Sequence, residues 1–180
     1  MTVSPHQELG RRICEAALLR GQFTLRSGKT STYYLDKYLF ETNPDLLHDI
    51  VRLISKLLPS GVAYDRLAGP ELGAVAIVTG LSLEVGKPFV IVRKEEKGYG
   101  TAKKIEGKLE KGERVVLVED VVTSGGQALE AALYLRQNGF EVVKVLVVLD
   151  REQGGMEKIR QEGFLASALF RFSEWGIKDQ

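Results

Sequence analysis

Apolar positions in this chain follow two alternating rhythms. Between about Pro5 and Arg20 they fall three and four apart, at Leu9, Ile13, Ala16 and Ala17, which predicts an amphipathic helix stopped by Gly21. Asn43-Pro44 offers an N-cap and a first-turn proline to a second helix. Its apolar face runs from Leu46, Leu47, Ile50 and Val51 to Leu57 and Leu58, and Pro59-Ser60-Gly61 ends it. Short apolar runs then begin, near Arg66-Leu67-Ala68 and over Pro88 to Val92, Val115 to Val118, Glu141 to Leu149 and Phe164 to Phe172. Runs of this kind suit strands buried on both faces. Helical stretches lie between them, over Ala74 to Leu83, Gln127 to Arg136 and a polar segment ending near Gly163. Strands alternating with helices predict an α/β fold, doubly wound, with a mainly parallel sheet flanked by helices.

Composition narrows the class of partner. The 180 residues fit a single domain, and 44% hydrophobic with 27% charged is an ordinary globular balance. A formal charge of +1 gives no bulk attraction to nucleic acid or to an acidic membrane. Cys14 is the single cysteine, so no internal disulfide forms, and with no signal peptide or long apolar span the expected location is cytoplasmic. His6 and His48 have no metal-ligand companions at a useful spacing, which argues against a protein-built zinc site. No internal repeat or low-complexity linker stands out.

The chemistry gathers where the run Val115 to Val118 ends. Glu119 and Asp120 follow at once, then Val121 and Val122, then Thr123-Ser124-Gly125-Gly126 and the helix from Gln127. Hydroxyls, backbone without side chains and a helix N-terminus together suit a phosphate. Two carboxylates would repel that phosphate, so sugar hydroxyls or a hydrated Mg²⁺ are their expected ligands. Four strand residues, two acids, two hydroxyls and two glycines in unbroken order are far more specific than a plain buried strand, turn and helix.

Three further stretches bear on this site. Gly28-Lys29-Thr30 invites a P-loop reading, but the glycine a Walker loop needs five residues earlier is Phe23, so a hairpin-like element is expected instead. Within it, Arg26 offers a cation for a phosphate, and Tyr33 with Tyr34 offers either a flat surface for a base or ordinary strand packing. The turn Gly69-Pro70-Glu71-Leu72-Gly73 presents backbone amides to a second phosphate or is a plain βα turn. After Val92, Arg93-Lys94-Glu95-Glu96-Lys97-Gly98-Tyr99-Gly100 collects cations on a glycine-bearing loop, which fits a lid over a polyanion better than a solvated surface.

The central stretch resembles the 5-phosphoribosyl 1-pyrophosphate (PRPP) signature of type I phosphoribosyltransferases. The whole chain resembles orotate phosphoribosyltransferases, through Phe23-Thr24-Leu25-Arg26-Ser27-Gly28-Lys29, Arg93-Lys94-Glu95-Glu96-Lys97 with Ile105-Glu106-Gly107, and Val148-Leu149-Asp150-Arg151-Glu152-Gln153-Gly154-Gly155. The resemblance implies one phosphoribosyltransferase domain over 1–180, with about 1–40 forming a small hood and about 60–150 the PRPP-binding core. It implies that Arg93, Lys94 and Lys97 meet pyrophosphate, with Tyr99 and Arg26 also toward PRPP. Glu119 and Asp120 would hold the ribose hydroxyls near a Mg²⁺ carried by PRPP, Thr123 through Gln127 the 5′-phosphate, and Val121 and Val122 would also line the PRPP site. Orotate would lie against Thr123, Arg151, Tyr33 and Tyr34, with Arg151 on its carboxylate. The residues assigned to catalysis are Asp120, Lys97, Lys94 and Arg93, and a homodimer would deliver Lys94 across the interface. PRPP and orotate are the implied partners, with no nucleic acid and no membrane.

The implied reaction displaces pyrophosphate from C1′ by the orotate ring nitrogen, giving orotidine 5′-monophosphate for pyrimidine synthesis without a protein nucleophile. Electrostatics and positioning would carry it. Three departures stand out. Tyr99 occupies a lid position where many members have histidine, and a phenol of pKa about 10 does not exchange protons near neutrality. Glu71-Leu72-Gly73 lacks the lysine some members carry, and Arg26 replaces a frequent lysine. Two rivals remain: a purine phosphoribosyltransferase, which would have no use for Arg151, and a PRPP-sensing regulator, which would need a nucleic-acid surface.

Overall fold

A computed structural model describes residues 3–24, 28, 30–94 and 104–176. Helix α1 (Pro5–Ala17) opens on a capping box, in which Ser4 Oγ accepts from the Gln7 N–H at 3.2 Å and Gln7 Oε1 accepts from the Ser4 N–H at 3.1 Å. It stops three residues short of the predicted end, because Leu18–Thr24 forms strand β1. Leu18, Leu19 and Arg20 pair with Leu35, Tyr34 and Tyr33 of β2 (Thr30–Leu35) in an antiparallel hairpin. Helix propensities differ by only a few tenths of a kcal/mol per residue, so this pairing overrides them.

Helix α2 (Tyr38–Glu41) is a single turn, and α3 (Pro44–Ile54) starts where Asn43 Oδ1 accepts from the Asp45 and Leu46 N–H groups, each at 3.1 Å. Near the end of the predicted second helix, Leu57 falls on a 3-10 turn, Ser55–Leu57, and Leu58 follows it. Next come β3 (Arg66–Pro70), α4 (Ala74–Val85), β4 (Phe89–Val92), the two-residue β5 (Ile105–Glu106) and β6 (Arg114–Val122). The chain then forms α5 (Gly126–Gln137), β7 (Glu141–Asp150), α6 (Gly155–Gln161), β8 (Ala166–Arg171) and a 3-10 turn over Phe172–Trp175. The predicted α/β class holds, with a six-stranded sheet in the order β5-β4-β3-β6-β7-β8, parallel throughout except for β5.

Strand β6 explains the continuous apolar run that announced it. Val116 and Val118 pack into one core with α1, α3 and α4, while Val115 and Leu117 pack into the other with α5 and α6. Burying each such side chain stabilises by about 1.5–3 kcal/mol relative to exposure. The strand extends past Val118 because β7 pairs with it through Glu119↔Val147, Val121↔Leu149 and Val122↔Asp150. The two acids therefore ride on the rigid end of a strand. Winding runs outward from β3 to β4 and then resumes on the other side of β3 at β6, so the sheet's direction switches between β3 and β6. Open α/β sheets bind ligands outside the carboxyl ends at such a point. No described helix is long and apolar enough to cross a membrane.

Candidate active site

At the end of β6, Glu119 and Asp120 are each only 2% exposed, as is Glu41 from the end of α2. Lys37, the residue before α2, places its ammonium on Asp120 Oδ2, and the Val121 N–H donates to Oδ1. The Asp120 N–H donates to Glu119 Oε1 at 3.2 Å. Loss of hydration, with Asp120 alongside, pushes the Glu119 carboxyl well above its usual range. Burial first, and Asp120 second, push Glu41 up to about 8 against the opposing pull of Lys37. Burial acts to lower the pKa of Lys37, but the charge and hydrogen bond of Asp120 outweigh it and raise the net value. Four ionisable groups thus share one water-poor pocket as a single electrostatic unit.

The pocket closes against the β3–α4 turn. A Cβ on Gly73 would coincide with Asp120 Oδ2 and stand 2.5 Å from Lys37 Nζ, so only glycine lets the turn approach. Glu71 in the same turn accepts from the Lys94 N–H at 2.9 Å and lies 3.9 Å from the Arg93 guanidinium, which also stands 3.7 Å from Glu106. Gln127 Nε2 donates to the Glu71 carbonyl at 2.8 Å, so its side chain ties the two turns together. Arg93, Lys94, Lys104 and Gln127 line one small cleft beside Pro70 and Val92.

Thr123 and Ser124 are exposed, and Gly125 enters α5 with φ +75°. A Cβ on Gly125 would meet the Gly155 carbonyl oxygen at 2.7 Å and its Cα at 2.9 Å. The candidate phosphate loop and the Asp150–Gly155 turn therefore touch backbone to backbone, which fixes their separation. The Arg151 N–H reinforces this by donating to the Val122 carbonyl at 2.8 Å.

Arg151 then folds over aromatic faces. Its guanidinium lies 4.2 Å from the Phe172 ring centroid and 5.6 Å from that of Tyr33, and Nη2 donates to the Tyr33 hydroxyl at 3.2 Å. Burial lowers its pKa, as expected for a guanidinium stripped of water. Asp150 accepts from the Glu152 N–H at 2.8 Å, and the Glu152 carboxylate accepts from the Ser173 N–H at 2.7 Å and hydroxyl at 3.0 Å. Strand alternation sends Tyr33 and Tyr34 to opposite faces of the hairpin. Tyr33 joins Arg151, whereas Tyr34, 45% exposed, packs on Phe23 at 5.7 Å between centroids.

Of the residues singled out from sequence, Asp120, Glu119, Val121 through Gln127, Arg93, Lys94, Arg151 and Tyr33 surround the carboxyl ends of β3, β4, β6 and β7. Arg26, Lys97 and Tyr99 lie outside the described residues. Lys37 and Glu41 were missed. Nothing in Asp36-Lys37-Tyr38 or Phe40-Glu41-Thr42 marks them, and only the near-complete burial of a glutamate in the fold does. A cavity of about 360 Å³ between α1 and the Phe172–Trp175 turn lies away from these strand ends and has none of the acid or phosphate-loop residues in its lining.

Comparison with known proteins agrees with this geometry. A model of the phosphoribosyl transferase domain matches residues 40–174. The orotate phosphoribosyltransferase of Pyrococcus horikoshii is 50% identical over 176 residues, covering 93% of this chain and 94% of that protein. The crystal structure of the Mycobacterium tuberculosis orotate phosphoribosyltransferase in complex with Fe(III) dicitrate superposes with a TM-score of 0.86 at 31% identity, covering 97% of this chain and 100% of that one. The same enzyme in complex with PRPP gives 0.82 at 30% identity, again over 97% and 100%.

Proposed function

This chain belongs to the phosphoribosyltransferase family, in its orotate phosphoribosyltransferase branch, and on that premise we propose how its residues divide the work. The enzyme transfers the 5-phosphoribosyl group of PRPP to orotate, releasing pyrophosphate and giving orotidine 5′-monophosphate in pyrimidine biosynthesis. The loop Thr123–Gln127 takes the 5′-phosphate, the acid pair takes the ribose hydroxyls, and Arg93 and Lys94 take pyrophosphate together with the lid residues Lys97 and Tyr99. Thr123, Arg151 and Tyr33 take orotate. The hairpin with α1 and α2 serves as hood. The observation that carries this reading is Arg151, stacked on Phe172 and joined through its backbone to Val122. A partly buried guanidinium on a residue whose backbone is bonded to the end of β6 supports a base bearing a carboxylate on this side of the Thr123–Gln127 turn.

Among the described residues no group of three or more His, Cys, Asp or Glu side chains makes a metal cage. Mg²⁺ fits nonetheless, because it would arrive on PRPP with phosphate oxygens and water and needs only one or two carboxylates, for which Asp120, beside Glu119, is the candidate. When bound, it would neutralise charge on the departing pyrophosphate. The chain's own part is to fix the sugar and pyrophosphate in line with the base nitrogen and to exclude water. Purified protein with PRPP, Mg²⁺ and orotate should release pyrophosphate, and uracil, adenine or hypoxanthine in place of orotate should release far less. Preferential use of a purine would overturn the base assignment.

We propose a homodimer with shared sites, in which the exposed Lys94 serves its partner's pyrophosphate. Lys94→Ala and Asp120→Asn, each nearly inactive alone, should then regain activity on subunit exchange, since half of a mixed dimer's sites would be intact. Exchange demonstrated by labelled subunits with no recovery of rate would place Lys94 in its own chain's site.

A further inference from the structure

We propose that Glu152 and Phe172 are positioning residues for base choice, holding the Arg151 guanidinium in the orientation that reads the carboxylate of the base. The inference rests on the assignment of Arg151 to that carboxylate. Strands β7 and β8 run parallel up to the pair Asp150↔Arg171, and the residues that leave them interlock two by two. Arg151 lays its guanidinium over the Phe172 ring, 4.2 Å from the centroid, while the Glu152 carboxylate accepts from the N–H and the hydroxyl of Ser173 at 2.7 and 3.0 Å. Phe172 is 3% exposed and packs against Tyr33 and Trp175 with ring centroids 5.6 and 5.9 Å away, so the surface under the arginine belongs to the core.

The backbone at Glu152 points the same way. Its φ of 56° makes it the one residue other than glycine, among the described residues, in the left-handed region. Side-chain-bearing residues rarely adopt that conformation, and it persists where the surroundings over-determine it, as at ligand clamps and active sites. Here the Arg151 N–H on the Val122 carbonyl, the Glu152 N–H on Asp150 Oδ1 at 2.8 Å and the two bonds to Ser173 together do so. A guanidinium reads a carboxylate as a planar fork, so its orientation matters as much as its charge. Phe172 gives the guanidinium a fixed face to lie against, the Tyr33 hydroxyl holds Nη2 at 3.2 Å from the hairpin side, and Glu152 sets where the side chain leaves the turn. A glycine would satisfy this turn at no steric cost, but it would give up the hold on Ser173.

Glu152→Gly is the deciding variant, because glycine takes the same φ without strain and what it removes is the clasp on Ser173. The preference for orotate over uracil, measured as the ratio of kcat/KM, should fall roughly tenfold, the lower end of what the whole charge-assisted contact is worth. The loss should appear in KM for orotate, with KM for PRPP as in the wild type. Glu152→Gln, which keeps an acceptor oxygen toward Ser173, should recover most of the preference. Phe172→Leu and Phe172→Met should lower the same ratio, while Tm reports separately the packing they give up. A residue that acts through Arg151 has nothing left to act on once the arginine is gone, so adding Glu152→Gly to Arg151→Met should lower the ratio no further. A wild-type ratio in Glu152→Gly, whatever its Tm, overturns the role of Glu152, and a wild-type ratio in either Phe172 variant overturns that of Phe172. A further loss in the double variant would make Glu152 a reader of the base in its own right and overturn positioning. An unchanged ratio in Arg151→Met alone would instead overturn the assignment of Arg151 on which both roles rest.

Discussion

Asp120→Asn is expected to leave a folded enzyme whose kcat/KM for PRPP has fallen by a hundredfold or more. Positive charge develops on the ribose as pyrophosphate departs, and a preorganised carboxylate in a dry site acts on it at low effective dielectric. Removing one such group typically costs about 10²–10³ in rate. Asparagine has the same shape and keeps an oxygen for the Val121 N–H, so the backbone at the end of β6 has no reason to move. Lys37 loses its anion, while Glu41 and Glu119 lose a neighbour whose charge raises their pKa. Net stability should change by about 1 kcal/mol in either direction, equivalent to ~2–4 °C in Tm for a domain of this size. Initial rates of pyrophosphate release, read with thermal melts, check both halves. Activity within tenfold of wild type would remove Asp120 from the mechanism.

Arg151→Met should retain PRPP affinity and lose most of the preference for orotate over uracil. These bases differ by one carboxylate, and a charge-assisted contact to it is worth about 1.5–3 kcal/mol, or roughly ten- to a hundredfold in kcat/KM. Methionine is the informative replacement because the Arg151 side chain also covers Phe172 and Tyr33. Alanine would strip that cover and mix a packing loss into the result. The measurement is the ratio of kcat/KM for the two bases alongside Tm. An unchanged ratio would show that the guanidinium is architectural and that another group reads the base.

Much of the fold is legible in the chain because its sheet is buried on both faces. That burial demands uninterrupted apolar runs such as Val115 to Val118, and these stand out against the polar turns between them. The candidate phosphate loop is legible for a related reason: acids, hydroxyls and glycines fall within the eight residues Glu119 to Gly126, so local sequence carries them together. Where the sequence misleads, long-range pairing is responsible. Leu18 to Arg20 continue a helical pattern yet form strand, because their partners Tyr33 to Leu35 lie fifteen or so residues further on. The apolar run Val115 to Val118 puts the acids at the end of a four-residue strand, and pairing with β7 carries the strand through them to Val122.

The site itself divides along the same line. Sequence alone determined the candidates: the acid pair, the Thr123–Gln127 turn, the cations after Val92 and the arginine after Asp150, each a short run of residues suited to one part of a phosphorylated substrate. Tertiary structure alone decided that Gly125 and Gly155 touch, and that Tyr33 turns toward Arg151 while Tyr34 turns away. It alone brought Lys37 and Glu41 to Asp120 across some eighty positions of chain. The physical reason is that a lone lysine or glutamate has no local signature: its protonation and its partner are set by what burial removes and by which charges the fold places beside it.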